Sequence, residues 1–419
     1  MIEGFGTTQR LFDDPHVTDT FDPQTKRAAV VVPPAEQAKI LAALYTELGL
    51  TRVRYNQRDS APEGSGPVGI EPVNDNADPE LIDLSKFDFS WKLNDGHIEL
   101  VKRQLPYGVT TYFASALTLE SFMTESNPQE YVEWAMAILR RWRDQGLEMP
   151  FYSIINEPGY PRSGIWSGQW LRDATKLLGA KLRAESFRTK IVIPDDVSPA
   201  EAYKRASVVL ADPDARQYVG AIAYHLYDDR SDRDRLKALG ETYGIPIWMT
   251  EYALAAPLEW ADLMHEQIVE YGTTALDMQW GFFGQYEPRE SHLVTINHSG
   301  NTYTGFTRTK TFYTMGQFSR FVKPGASRVG VAESVNGLRA SAFQKDGEVV
   351  IVAIADADAG TRTVTFEIQG SSCSGAVDGM RTSAAENGVP LAQVSVASNR
   401  FQATLPGGSV STYRLACSG

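Results

Sequence analysis

The chain has 419 residues, 42% of them apolar and 22% charged, with 40 Lys and Arg against 52 Asp and Glu for a formal net charge of −12. This is the composition of a folded domain protein and excludes a disordered chain or a coiled coil. No apolar run approaches the length of a membrane-spanning helix, and a surface this acidic repels nucleic acid and anionic membranes.

Short apolar runs read as buried strands at Ile2–Phe5, Thr51–Tyr55, Val109–Phe113, Phe151–Ile155, Lys190–Pro194, Val219–Tyr224, Pro246–Thr250 and Ala275–Trp280. Helical spacing fills the stretches Pro34–Leu48, Pro128–Gln145, Gly168–Glu185, Pro199–Leu210 and Leu258–Tyr271. Proline at 34, 128 and 199 suits a helix start, where its missing N–H costs nothing, and Gly49 and Gly146 suit a left-handed helix end. Eight such β–α units predict an α/β fold, a (β/α)8 TIM barrel over residues 1–324. A doubly wound open sheet is the competing topology, but no Gly-x-Gly-x-x-Gly turn follows the first strand.

After Val322–Gly325 the texture changes to alternating Val, Thr, Ser and Gly, with strands read at 328–333, 339–343, 349–354, 362–368, 392–395 and 411–415. Residues 325–419 are therefore expected to form a C-terminal side β-sandwich. The only cysteines, Cys373 and Cys417, both fall there. A single bridge in an oxidising compartment is one reading and two free thiols the other. The opening Met1–Gly6 has no basic start and no apolar run, so no signal peptide is expected, and a secreted location is an inference.

In a barrel, chemistry sits where strands exit at their C-terminal ends. Glu157 follows the fourth run, in Asn156–Glu157–Pro158, and Glu251 follows the seventh, in Thr250–Glu251–Tyr252. A lone glutamate at a strand end is more often an ion-pair or cap residue. Two of them facing across one barrel mouth are what glycoside hydrolysis needs, one to deliver a proton to the departing oxygen and one to attack the anomeric carbon. Asp195–Asp196 at the exit of strand five is expected to cap the next helix. The six histidines show no His-Glu-x-x-His spacing and Gly-x-Ser-x-Gly is absent, so no metal, cofactor or esterase elbow is expected.

The Asn-Glu-Pro and Thr-Glu-Tyr segments resemble the signature of the retaining glycoside hydrolases of clan A. Gly4–Phe5–Gly6, Tyr224–Tyr227 and Tyr313–Ala326 resemble glycoside hydrolase family 30 in particular. The resemblance implies that Glu157 is the acid/base and Glu251 the nucleophile. It implies substrate contacts for Arg54, Asn156, His225, Tyr227 and Trp280, the last as an aromatic floor. Arg54 and Tyr227 would keep the nucleophile ionised, and Asn156 would bind the sugar 2-hydroxyl. Tyr160 and Tyr286 are candidate outer platforms, whereas Trp170 reads as helix packing. Arg289, between Glu287 and Glu290, stands where relatives grip a glucuronate branch. The family's Ser-Pro-Pro turn after strand three is replaced here by Phe113–Leu119.

The implied activity is retaining hydrolysis of a plant or microbial polysaccharide, as an endo-β-1,4-xylanase-like monomer with an oligo- or polysaccharide as its partner. A β-1,6-galactanase, a β-1,6-glucanase and an exo-β-glycosidase are alternatives within the family. A non-catalytic carbohydrate-binding protein is the alternative outside it.

Overall fold

Eight parallel strands close into a barrel in sequence order, with the eighth pairing back on the first. They are β1 (Gly4–Thr8), β2 (Arg52–Gln57), β3 (Thr111–Ala116), β4 (Phe151–Ser153), β5 (Lys190–Asp196), β6 (Val219–His225), β7 (Ile247–Glu251) and β8 (Ala275–Met278). The computed structural model describes residues 1–18, 30–57, 69–161, 164–286, 291–332 and 335–418. Around the barrel run α1 (Pro34–Leu41), α2 (Gly96–Gln104), α3 (Pro128–Asp144), α4 (Gly168–Ala184), α5 (Pro199–Ala211), α6 (Arg233–Tyr243), α7 (Glu259–Val269) and α8 (Lys310–Ser319). Among the described residues, no helix is long and apolar enough to cross a membrane.

The strands are buried on both faces, as helices outside and side chains inside require. Inside, the lower layer is apolar: Phe113, Val192, Ala221, Ala223, Trp248 and Ala275 form their own cluster. Above it lies charge. Period-two alternation on β2 sends Arg52, Arg54 and Asn56 to one side, and both arginines enter the lumen. Arg52 forks onto Asp277 with two contacts of 3.0 Å, and its guanidinium lies 4.0 Å from the centre of the Trp248 ring. Gly6 is the price of that layer: a Cβ there would stand 2.2 Å from Asp277 Oδ1 and 2.5 Å from Arg52 Cβ.

Strand eight stops two residues short of the expected end. Gln279 N turns to donate to Tyr252 O at 3.0 Å, and Trp280 opens a separate strand. That strand, β9 (Trp280–Gly284), joins β10 (His292–Ser299) and β11 (Thr302–Arg308) in a three-stranded sheet before α8.

The C-terminal region is two-layered. β12 (Ser327–Val329), β13 (Leu338–Lys345), β14 (Glu348–Ala355), β16 (Ser372–Ser383), β17 (Val389–Pro390), β18 (Val394–Ser395) and β20 (Ser409–Ser418) form one sheet. β15 (Arg362–Glu367) and β19 (Arg400–Leu405) pair as a ribbon. The ribbon supplies Val364, Phe401, Ala403 and Leu405 to a core shared with Ala353, Tyr413 and Leu415. The other face of the sheet, through Phe343, Val350, Val352 and Val410, belongs to the barrel's own core. Cys373 and Cys417, opposed across β16 and β20, form a disulfide, so the free-thiol alternative falls.

Burial pushes the Asp277 carboxyl upward in spite of Arg52. The pair therefore gains little over an apolar replacement of both partners, yet breaking it strands a buried cation. Asp277→Ala is expected to cost about 3–5 kcal/mol in urea unfolding. A loss below about 1 kcal/mol would show that Arg52 finds another partner.

Candidate active site

The chain leaving β4 carries Asn156 and Glu157 over the barrel mouth. Asn156 N donates to Ala116 O at 2.8 Å and Glu157 N to Asp195 O at 2.9 Å, tying this exit to its neighbours on both sides. Gly159 N then donates to Asp196 Oδ1 at 2.9 Å. Glu157 and Asp195 both hold left-handed backbones, with φ of 51° and 60°. Neither is glycine, so each stores conformational strain of about 1–3 kcal/mol that the surrounding bonds must hold. Glu251 needs no such distortion, because it is the last residue of β7 and is paired in register with His225 of β6.

Arg54 organises the centre. It is fully buried, and each of its nitrogens has an acceptor. Nη1 donates to Glu251 Oε2 at 2.8 Å and to Asn56 Oδ1 at 2.9 Å, and Nη2 to Asn156 Oδ1 at 2.5 Å and to Asp195 Oδ2 at 2.9 Å. Nε reaches the same Asp195 oxygen at 3.3 Å. Burial works against the guanidinium charge, but Asp195 and Glu251 outweigh it and hold the pKa above its ordinary value. Burial would likewise raise the Asp195 carboxyl. Arg54 and His225 overcome that and hold it well below the usual carboxylate range.

Asp195 is thus no helix cap. Its Oδ2 also accepts from Ser153 Oγ at 3.0 Å and its Oδ1 from Thr250 Oγ1 at 2.5 Å. Asp196 is not the cap of α5 either: it holds Arg205 at 3.0 Å. The cap is Ser198, whose Oγ accepts from Glu201 N.

His225 Nδ1 lies 2.8 Å from Glu157 Oε1, and its Nε2 faces Asp195 Oδ1 at 3.4 Å. Burial favours a neutral ring, but the Glu251 charge, the nearby Asp195 carboxylate and the bond to Glu157 outweigh it and raise the imidazole to about 10. The ligand atoms of Glu157, His225 and Glu251 all lie within 4.8 Å of one another. A metal bound there would require the neutral ring. Tyr227 OH donates to Glu251 Oε1 at 3.0 Å. Burial and the neighbouring Glu251 push its pKa well above the ordinary tyrosine value, so it stays a donor.

The structure therefore brings Glu157, Glu251, Arg54, Asn156, His225 and Tyr227 together. The outer candidates are more scattered. Trp280 stands at the rim with the Arg10 guanidinium 4.1 Å from its ring centre. Tyr160 is exposed in the connection after β4, and Tyr286 packs on Phe283. Trp170 is buried against Trp166 and Tyr131, as helix packing requires. Arg289 lies outside the described residues. Sequence reasoning missed Asp195, Ser153, Thr250 and Asn56 as members of the network. Their only signal was polarity at otherwise apolar strand ends.

No family model matches the chain. It is 26% identical over 286 residues to the glucuronoxylanase XynC of Bacillus subtilis, covering 65% of this chain and 62% of that protein. It is 25% identical over 255 residues to the endo-1,6-beta-D-glucanase neg1 of Aspergillus fumigatus, covering 57% and 49%. The matches thus span less than two thirds of these curated relatives. The solved glycoside hydrolase family 30 subfamily 8 xylanase from Clostridium acetobutylicum superposes with a TM-score of 0.73 at 22% identity, over 99% of this chain and 96% of that one. That likeness establishes the fold.

A His225 pKa of about 10 against an ordinary 6.5 has a definite sign. The folded state binds the proton more tightly, so this residue's contribution to stability is complete below pH 6.5 and is lost as pH rises through about 10. Nitrogen NMR of labelled histidine at about pH 8 should find one doubly protonated ring that His225→Gln removes. A neutral tautomer pattern at that residue would refute the charged assignment.

Proposed function

We propose that this chain, which resembles the family 30 glycoside hydrolases of clan A, hydrolyses β-glycosidic bonds with retention of configuration. The observation that carries the reading is the facing pair of carboxylates. A Glu157 oxygen and a Glu251 oxygen lie within 4.8 Å of each other, a spacing that suits the roughly 5–5.5 Å carboxyl separation of retaining enzymes.

In this reading Glu251, held in place by hydrogen bonds from Arg54 and Tyr227, attacks the anomeric carbon. Glu157 passes a proton to the departing oxygen, and the carboxylate left behind then takes a proton from water to release the sugar. His225 holds a proton 2.8 Å from Glu157, so the acid site has a proton store beside it. The Oδ1 of Asn156 is committed to Arg54, which fixes the amide and leaves its NH2 for the sugar 2-hydroxyl. Three carboxylates, Glu157, Asp195 and Glu251, face two cations, Arg54 and His225. The Glu251 carboxylate, which faces the anomeric carbon, stabilises the positive charge of an oxocarbenium-like transition state.

The substrate class we favour is a xylan-type plant or microbial polysaccharide, supported by the resemblance to the Bacillus subtilis glucuronoxylanase. A β-1,6-glucan is the second reading, supported by the Aspergillus fumigatus relative. We assign catalysis to the barrel of residues 1–324 and a supporting role to 325–419. A location outside the cell is part of the same reading, since the Cys373–Cys417 bridge suits an oxidising compartment.

Glu157→Gln and Glu251→Gln should each lower turnover of an activated aryl β-xyloside or β-glucoside by about 10³-fold or more with the fold unchanged by circular dichroism. Near-normal activity in either variant would sink the assignment. Early product followed by proton NMR should be the β-anomer; inversion would exclude Glu251 as nucleophile. Tyr227→Phe removes one donor from Glu251 and should lower kcat about tenfold to a hundredfold with little change in KM. An unchanged kcat would show that Arg54 alone suffices.

A further inference from the structure

Arg230 stands in the connection between β6 and α6, half-buried and outside the network around Arg54. Its Nε donates to Leu226 O at 3.0 Å and its Nη2 to Tyr252 OH at 2.6 Å. Leu226 is the residue before Tyr227, and Tyr252 is the residue after Glu251. One guanidinium therefore bridges the two strand exits that carry Glu251 and its phenol donor. Among the described residues no carboxylate pairs with it, so its donors serve these neutral acceptors rather than an ion pair.

The ring of Tyr252 is buried and packs on both Tyr227 and Trp260, with centroids 5.5 and 6.0 Å away. Its carbonyl is held by Gln279 N at 3.0 Å, and its far end by Arg230. The Arg230 guanidinium carbon also lies 4.9 Å from the centre of that ring. Tyr227 packs on Tyr252 on one side and edge-on to His225 on the other, with its OH 3.0 Å from Glu251 Oε1. A hydrogen bond weakens steeply once its angle is lost, so the Tyr227 donor serves Glu251 only while its ring is kept in place. Packing against Tyr252 does that, and the main chain at Leu226 sets where the Tyr227 ring begins. Arginine suits the task because its donors sit in a rigid planar fork, whereas lysine offers a single ammonium on a flexible stem.

We propose that Arg230 is a positioning residue for the nucleophile: it clamps Leu226 and Tyr252 together so that Tyr227 keeps its hydroxyl on the Glu251 carboxylate. The inference rests on the reading of Glu251 as nucleophile, and adds to it a residue that donates to neither catalytic glutamate and acts through Tyr227. The effect belongs to the transition state rather than to sugar binding, because the Tyr227 donor must follow the Glu251 carboxylate as its charge passes to the anomeric carbon.

The test measures kcat and KM of whole-chain variants on an activated aryl β-glycoside that the parent cleaves, with Tm followed alongside. Arg230→Met should lower kcat about tenfold while KM changes less than about twofold. Arg230→Lys, which keeps the cation but not the fork, should stay well below the parent. Adding Arg230→Met to Tyr227→Phe should cost less than about twofold beyond Tyr227→Phe alone, because both changes act through one hydrogen bond. A residue that only stabilises the fold would lower Tm and leave kcat alone, and that result overturns the proposal. So does full activity in Arg230→Lys, or a loss that multiplies in full with that of Tyr227→Phe. Should Arg230→Met fail to fold, Tyr252→Phe, which removes only the hydroxyl that Arg230 holds, is read by the same kcat, KM and double-variant criteria. An active Glu251→Gln would overturn the nucleophile reading and this assignment with it. An inactive Glu251→Gln beside an unimpaired Arg230→Met overturns this assignment alone.

Discussion

A guanidinium sealed inside a barrel is the constraint on which the catalytic face depends. A buried cation is tolerable only when it is paired and its N–H groups are all engaged. Arg54 meets this with Glu251, Asp195, Asn156 and Asn56. Those partners come from β2, β5, β7 and the chain leaving β4, so satisfying one charge gathers groups from separate strands to one point. The same contacts fix the Glu251 carboxylate and aim the Asn156 amide, and catalytic geometry follows from burial.

Two costs accompany that arrangement. Glu157 and Asp195 hold left-handed backbones without being glycine, and the hydrogen bond from Glu157 N to Asp195 O joins the two strained positions. A deeper layer, Arg52 with Asp277, holds up the first by filling the lumen beneath it, and only glycine at position 6 leaves it room. Charge stacked on charge in a closed cylinder is rigid, because any displacement breaks a buried pair in a low-dielectric setting. Rigidity of this kind is what preorganised electrostatic stabilisation needs.

The molecule buries charge in two opposite ways. Around Arg54 acids and bases alternate, and carboxyl and guanidinium keep their charges. Around Glu133 acids meet acids, and two of them are driven toward their protonated forms. The first pattern keeps its charges because each is paired, whereas the second sheds charge by holding protons. The contrast, rather than acidity alone, distinguishes the second cluster from an ordinary solvated acidic face.

Local sequence determined the alternation of strand and helix, the helix starts at Pro34, Pro128 and Pro199, and the change of texture near residue 325, because periodicity and backbone restriction act over a few residues. It also placed Glu157 and Glu251 at strand exits and put Arg52 and Arg54 on one side of β2. It hid β16, whose register shift between Ser374 and Asp378 breaks the alternation that marks a strand. The alternation of β19, at Phe401, Ala403 and Leu405, is legible in the sequence. It could not separate β8 from β9, since the apolar run passes straight through Gln279, whose N–H finds its partner on the exit of β7. Asp195 was beyond local reading altogether. An aspartate between a strand and a helix looks the same whether it caps the helix or faces a buried arginine 141 residues away. Only closure of the barrel, which sets β5 within reach of β2, β6 and β7, decides between them.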